Sequence, residues 1–202
     1  MPPALTAATG VDALTHAIES CVSRKATKLT IDFSLRAVGR LARFLPVAFA
    51  SPDDAEARRE CLLGSLEAGI AFTNSSVALV HGMARPLGAK FGIPHGVSNA
   101  VLLEAIMRFS LPGAPERYAR LAEAMGAVPA GTPLETARAG LGIVSRLVRE
   151  LHIPRLRDLL SRDALDAQLD AMVREAVASG SPANNPRPAS PEEIASLYGE
   201  AF

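Results

Sequence analysis

The sequence predicts an all-α protein, a single bundle of helices. Apolar residues recur at intervals of three and four along nearly the whole chain, which is the period with which one helix face meets a core. No stretch alternates apolar and polar residues for long enough to indicate a strand. The pattern Thr/Ser-Pro-x-Glu, typical of a capped helix start, occurs at 132–135 and at 190–193. At 202 residues, one helical domain spanning 1–202 is the simplest interpretation.

Four helices are predicted in the first half of the chain, each from an apolar face at helical spacing. Pro46 is expected to bend or end the second of them, because proline lacks the N–H that an inner helical position donates. Ser51 or Asp53 is expected to cap the third, since both side chains can accept from a free backbone N–H. The predicted ranges are 7–22, 29–50, a third helix ending near 72, and 75–91.

The second half of the chain is predicted to contain four further helices. Ser98 or Asn99 begins the first of these, and Gly126 closes the next. The two Thr/Ser-Pro-x-Glu patterns open the other two, one ending near His152 and one running to the C-terminus. The segment 178–190 is rich in Pro, Ser and Asn, and we expect it to be a surface loop before a docked terminal helix.

Composition excludes several classes of partner. Lys plus Arg total 21 and Asp plus Glu total 21, so no net charge favours nucleic acid or an acidic membrane. The start of the chain shows no signal sequence and no apolar run approaches the roughly 18 residues of a membrane span, so a cytoplasmic location is expected. Cys21 and Cys61 lack a C-x-x-C spacing and are predicted to be buried free thiols.

Three arginines, Arg36, Arg40 and Arg43, fall on one face of the predicted second helix. Such a row is typical of a solvated helix face and, less often, of an anion site. The sequence favours the solvated face.

Asp12 and His16 are the first candidate metal ligands. A spacing of four residues places both side chains on one helix face, one turn apart, so that they can share an ion. A surface ion pair has the same spacing. Val11, Leu14 and Ile18 surround the two residues, however, so part of this face is expected to be buried. An ion would offset the cost of burying the carboxylate.

His81 and His95 complete the candidate set. His81 lies in an almost uncharged helical stretch, and His95 lies in a Pro- and Gly-containing segment predicted as a loop that presents its side chain rigidly. A single histidine on an apolar helix is more often a hydrogen-bonded core residue. Three imidazoles and a carboxylate together suit Fe²⁺ or Zn²⁺, whereas Ca²⁺ and Mg²⁺ prefer oxygen ligands. His152 is expected to lie outside this cluster.

Three stretches carry a family resemblance, and they occur in order along the chain. MPPALTAATGVDALTHAIE, VHGMARPLGAKFGIPHGVSNAVLL and NPRPASPEEIASLY resemble the C-terminal, all-helical half of the iron-containing (group III) alcohol dehydrogenases. The resemblance implies that the metal ligands are the four residues already singled out. These are Asp12, His16, His81 and His95.

The resemblance also implies an activity, the oxidation of a small alcohol by hydride transfer to NAD or NADP, or the reverse reduction of an aldehyde or ketone. Many family members carry a histidine where this sequence has Arg85. The resemblance therefore makes Arg85 a candidate catalytic residue. It either pairs with a carboxylate on the substrate or forms a salt bridge with a neighbouring acid, and the sequence leaves both open.

The dinucleotide site of this family belongs mainly to an N-terminal α/β domain, and no part of this sequence resembles it. The nearest pattern, GLGIVS at 140–145, lies inside a predicted helix without a preceding strand. The expected partners are thus an N-terminal nucleotide-binding domain or a second copy of the chain, besides the substrate. Two alternatives stay open: a truncated, non-catalytic metal-binding module, and a metal-assisted hydrolase, for which Glu19 and Glu104 are the available bases.

Overall fold

The computed structural model describes all 202 residues and contains ten α-helices, two short 3-10 segments and no strand, so the predicted all-α fold is confirmed. The 3-10 segments are Leu111–Gly113 and Ser181–Asn184. The helices are Pro3–Val22 (α1), Lys28–Ala50 (α2), Ala55–Ser75 (α3), Leu79–Phe91 (α4), His95–Ser110 (α5), Pro115–Ala124 (α6), Pro133–Glu150 (α7), Leu156–Leu159 (α8), Arg162–Ala178 (α9) and Pro191–Ala201 (α10).

Helix α1 lies at the centre of the bundle. It packs against α2, α3 and α5 and also contacts α4 and α6. The apolar positions predicted from its sequence, Val11, Leu14, Ile18 and Cys21, are all buried. Burial raises the pKa of the Cys21 thiol to about 12. Polar side chains on the same helix, such as Thr15, Glu19 and Ser20, are also buried, and each needs a hydrogen-bond partner there.

Helix α2 ends at Ala50, as predicted, so Pro46 does not end it, and the predicted cap of α3 is wrong. Leu45 and Ala48, on either side of the proline, are buried in the core and hold the last turn of α2. Asp54, rather than Ser51 or Asp53, caps α3. Its side chain accepts a hydrogen bond from the backbone N–H of Ala57 at 2.8 Å.

The boundaries of α4 and α5 also differ from the prediction. Helix α4 begins at Leu79 rather than near 75, after a break in which Ser76 adopts a positive φ of 69°. Helix α5 begins at His95, three residues earlier than the first predicted start, directly after Pro94. His95 therefore occupies the first turn of a helix and not a loop, because proline ends the extended segment before it.

Two helices, the four-residue α8 and the longer α9, are not among those predicted. Ser161 caps α9 by accepting from the backbone N–H of Ala164 at 3.2 Å. Its buried residues Leu165, Met172 and Ala176 stand at helical spacing, which is the signal that the prediction overlooked.

The segment 178–190 is not the predicted surface loop. Ser181, Asn184 and Asn185 within it are buried, because their amides and hydroxyl satisfy polar groups of the interior. Asn184 Nδ2 donates to the backbone oxygen of Val77 at 3.0 Å. A Cβ at Gly82 would lie 2.7 Å from the Pro182 ring, so only glycine allows α4 to approach this segment.

No single helix is long and apolar enough to cross a membrane. Helices α3 and α4, bent by 102° at their junction, meet the length and composition criteria only as a pair. Both cysteines are free, with Cys21 buried and Cys61 half-buried.

Candidate metal centre

Helices α1, α4 and α5 bring the predicted ligands together. Asp12 and His16 come from α1, His81 from α4 and His95 from the first turn of α5. A Cβ at Gly96 would clash with the backbone oxygen of Ala8, so glycine permits the start of α5 to approach α1 closely. This close approach places His95 beside Asp12.

Two imidazoles converge on one carboxylate oxygen. Asp12 Oδ1 lies 3.7 Å from His81 Nε2 and 3.5 Å from His95 Nε2. One potential ligand atom from each of these three residues lies within 4.8 Å of the other two. The arrangement joins residues 12, 81 and 95, which are far apart in the sequence, around a point that one ion can occupy.

His16 lies beside this group of three without belonging to it at that distance. Its ring centroid is 4.2 Å from that of His81 and 4.3 Å from that of Phe72. Its Nδ1 donates to the backbone oxygen of Asp12 at 2.8 Å, which leaves Nε2 as the atom with a free lone pair. Burial lowers the pKa of His16, and His81 lowers it further, which favours the neutral imidazole that binds metals.

His81 is the most deeply buried of the histidines at the site. Its Nδ1 lies 2.6 Å from a carboxylate oxygen of Glu19, while its Nε2 is buried and has no hydrogen-bond partner. An unpartnered buried nitrogen is costly in a folded protein. A cation between His81 Nε2 and Asp12 would remove that cost, so the residues present fit a metal ion.

Sequence reasoning missed the role of Glu19, considering it only as a possible base. The residue follows His16 by three positions and Asp12 by seven, and so lies on the same helix face. Glu19 is also the only charged residue in the last turn of α1. Its spacing from Asp12 and His16 could therefore have identified it from the sequence.

Asn99 is a second residue that the sequence analysis missed. It is completely buried, and its Nδ2 donates to Asp12 Oδ1 at 2.6 Å and to His95 Nε2 at 3.1 Å. One N–H donor thus bridges two of the proposed ligand atoms. The spacing of four residues from His95 on α5 is the signal that could have found it.

A cavity of about 450 Å³ opens beside the histidines. Arg85 lines it, is exposed, and donates from Nη1 to Ser181 Oγ at 3.1 Å, but forms no ion pair with an acidic side chain. The structure therefore provides no neighbouring acid for the salt-bridge alternative. Ser76 also lines the cavity, whereas Asn74 turns its amide back to the backbone oxygen of Ile70.

The remaining polar candidates lie elsewhere. Arg36 and Arg40 pair with acids of α3 and Arg43 is exposed, so the arginine row of α2 does not form an open anion site. Glu104 pairs with Arg108 on the surface of α5.

Comparison with known proteins identifies the class. The model of the Fe-containing alcohol dehydrogenase family, C-terminal region, matches residues 6–202, and the chain belongs to this family.

Two curated members of the family are similar to this chain over its whole length. The chain is 42% identical to lactaldehyde reductase of Escherichia coli (strain K12) over 205 residues, and 39% identical to 1,3-propanediol dehydrogenase of Klebsiella pneumoniae over 203 residues. All of the chain and 52% of each relative are covered. The chain thus spans about half the length of the curated relatives it matches.

The fold agrees with solved structures of the same family. A crystal structure of 1,3-propanediol oxidoreductase superposes with a TM-score of 0.96 at 39% identity, covering the whole chain and 53% of that protein. An alcohol dehydrogenase from Oenococcus oeni gives a TM-score of 0.95 at 31% identity, and the chain covers 52% of it. The all-helical architecture is therefore that of the C-terminal half of iron-containing alcohol dehydrogenases.

Proposed function

We propose that this chain is the metal-binding half of an alcohol dehydrogenase and that Asp12, His16, His81 and His95 hold one divalent ion, Fe²⁺ or Zn²⁺. The observation that carries the proposal is the buried His81 Nε2, which lacks a partner and converges with His95 Nε2 on Asp12 Oδ1. Three imidazole nitrogens and one carboxylate oxygen are the donor set that these two metals accept.

The residues of the chain give the site two unlike sides. His81 is buried, whereas the side chain of His95 is 52% exposed and faces the open cavity. Substrate therefore enters from the side of His95 and Arg85, and the packed side excludes water. A bound divalent ion supplies Lewis-acid polarisation of an alcohol or carbonyl oxygen. Phe72 packs on the His16 ring and holds its orientation.

Arg85 is proposed to bind the substrate away from the reacting carbon. Its guanidinium lines the same cavity as the three histidines and has no acidic partner, so it is available to pair with a carboxylate on the substrate. In a longer protein that joins the chain to a nucleotide-binding half, replacing Arg85 with Met should raise the KM for a hydroxy acid or an oxo acid and leave the KM for an uncharged alcohol nearly unchanged. Equal effects on both substrates would remove Arg85 from this role.

Hydride transfer requires a nucleotide site in addition to the metal centre. The matched relatives are about twice as long as this chain. We propose that an N-terminal nucleotide-binding half outside residues 1–202 binds NAD or NADP, and that the substrate is a small alcohol, aldehyde or ketone. That half, or a second copy of the chain, is proposed to pack beside the cavity. The predicted cytoplasmic location stays a prediction.

The test compares the 202-residue chain with a longer protein that joins it to a nucleotide-binding half. Both are loaded with Fe²⁺ or Zn²⁺ and assayed for NAD(P)-linked oxidation of short alcohols and diols. Metal uptake by both and turnover by the longer protein alone are expected. Metal uptake without turnover in either would favour the non-catalytic module, and absence of metal uptake would refute the proposal.

The hydrolase alternative gains no support from the positions of the acids. Glu19 is fully engaged by His81 and the start of α4, and Glu104 pairs with Arg108 away from the cavity. No carboxylate is left to activate a water beside the histidines.

A further inference from the structure

Glu19 is a buried carboxylate that no lysine or arginine neutralises. Its side chain is 3% exposed, and N–H groups alone surround its oxygens. Oε2 accepts from the backbone of Ala78 at 3.0 Å and of His81 at 3.4 Å, and Oε1 accepts from the backbone of Val80 at 2.6 Å. These bonds replace the water that burial removes.

The backbone bonds make Glu19 the cap of a helix to which it does not belong. Ala78, which precedes α4, has no side chain able to accept from the free N–H groups of the first turn. Glu19, in the last turn of α1, supplies the acceptor instead, and its negative charge meets the positive end of the α4 dipole. The carboxylate is therefore fixed in position before any metal binds.

The fourth hydrogen bond of Glu19 is not needed for capping. Glu19 Oε2 lies 2.6 Å from His81 Nδ1, and a carboxylate in this position accepts the Nδ1 proton. The proton on Nδ1 leaves the lone pair on Nε2, and the ring is turned so that Nε2 lies 3.7 Å from Asp12 Oδ1. The same bond sets both the tautomer and the direction of His81.

We propose that Glu19 is the positioning residue of the metal centre. Through one hydrogen bond it holds the His81 ring so that the lone pair of Nε2 is free to bind the metal. The proposal rests on the metal-binding function proposed above. It adds a residue that contacts the proposed ligand His81 but does not itself coordinate the ion. With Asp12, Glu19 also supplies the second negative charge that balances a divalent ion. Carboxylates behind metal-binding histidines have this effect in other metalloproteins.

The proposal is distinguishable from a purely structural role of Glu19. A cap alone would stabilise α4 and affect metal binding only through the stability of the 76–81 region. Asn184 supports the same region through hydrogen bonds to Ser76 and Val77 and forms none with His81. Asn184→Ala is thus a matched control, because it weakens the segment and leaves the Glu19–His81 bond in place.

The first measurement uses the metal-free wild-type chain. Nitrogen-15 NMR of the imidazoles should find the proton of His81 on Nδ1. A proton on Nε2 would overturn the proposal. This readout depends neither on a variant nor on a metal, so it still decides the orientation claim if the chain takes up no ion and the proposed function fails.

The second measurement compares Zn²⁺ affinities by competition with a chromogenic chelator. Glu19→Gln keeps the volume of the side chain and removes its charge, and it should weaken Zn²⁺ binding by about 10- to 100-fold relative to the wild type. Asn184→Ala should weaken it far less at a comparable loss of thermal stability. Equal losses of affinity in the two variants would assign Glu19 a structural role alone and overturn the proposal.

Discussion

Helices α1 and α2 both carry ionisable side chains at helical spacing, yet the two rows have different surroundings. On α1, Asp12 and His16 are 22% and 17% exposed and meet histidines of α4 and α5, from much later in the chain, of which the one on α4 is buried. On α2, Arg40 meets Glu60 and Glu67 of the next helix, and its side chain is 34% exposed. The spacing on one helix therefore indicates a shared face, and the elements packed against that face determine its chemistry.

The two rows also differ in what is left unsatisfied. On the α2 row, Arg36 and Arg40 each have a carboxylate beside them and Arg43 is exposed to solvent, so no buried charge there requires a ligand. On the α1 side a buried imidazole nitrogen of His81 has no partner, and an amide of Asn99 bridges two acceptors where a cation would lie.

Removal of one ligand should have the largest effect. Saturating Zn²⁺, about 1,000-fold above its Kd, should raise the unfolding free energy of the wild type by about 4 kcal/mol. His81→Ala should abolish nearly all of this gain and take up almost no metal, because a site of three remaining ligands binds far more weakly. Chemical denaturation with and without Zn²⁺ measures both quantities.

The control for this experiment is His152→Asn. His152 is exposed and has a positive φ of 53°, which asparagine tolerates, so the variant should retain the full Zn²⁺ effect. If Zn²⁺ stabilised His81→Ala and the wild type equally, the ion would bind elsewhere. The unsatisfied groups on the α1 side would then not mark a metal site.

A change at Asn99 should have an intermediate effect. Asn99→Asp replaces a donor to Asp12 with a second carboxylate, so the metal-free protein should lose about 1.5–3 kcal/mol of stability. Zn²⁺ should restore most of the loss, because a cation then lies between the two carboxylates. Thermal unfolding with and without Zn²⁺ measures this difference.

Gln168→Glu is the matched control, an exposed amide-to-acid change on α9 that should alter stability little in either condition. A loss in Asn99→Asp that Zn²⁺ leaves undiminished would mean that Asn99 does not stand at the position of the ion.

The smallest effect is expected on α2. Arg40→Ala should cost about 1 kcal/mol, because its ion pairs are still partly open to solvent and ordering the long side chains offsets much of their gain. The cost should fall further in about 1 M salt, which screens exposed charges. A loss of unfolding free energy several times larger, and insensitive to salt, would show that the ion pairs of α2 stabilise the fold strongly. The contrast with the α1 row would then fail.

The helical class, which the structure confirms, and the Asp12/His16 part of the candidate ligand set, which stays a prediction, both come from local patterns in the sequence. Periodic apolar residues and the Asp12/His16 spacing are local features, and the structure brings Asp12 together with His81 and His95. Glu19 and Asn99 were missed because their roles depend on what packs against them: one caps a helix 59 residues away, and the other bridges α5 to α1. Burial of the 178–190 segment was missed likewise, since its composition is that of a loop.

Zinc K-edge X-ray absorption of the Zn²⁺-loaded chain tests the central claim most directly, namely that one ion is held by Asp12, His16, His81 and His95. The claim predicts a shell of nitrogen and oxygen atoms at about 2.0–2.2 Å, with outer-shell scattering from three imidazole rings and no sulfur. His95→Ala should lower the ring count by one. A sulfur neighbour, or fewer than three imidazoles in the wild type, would contradict the account.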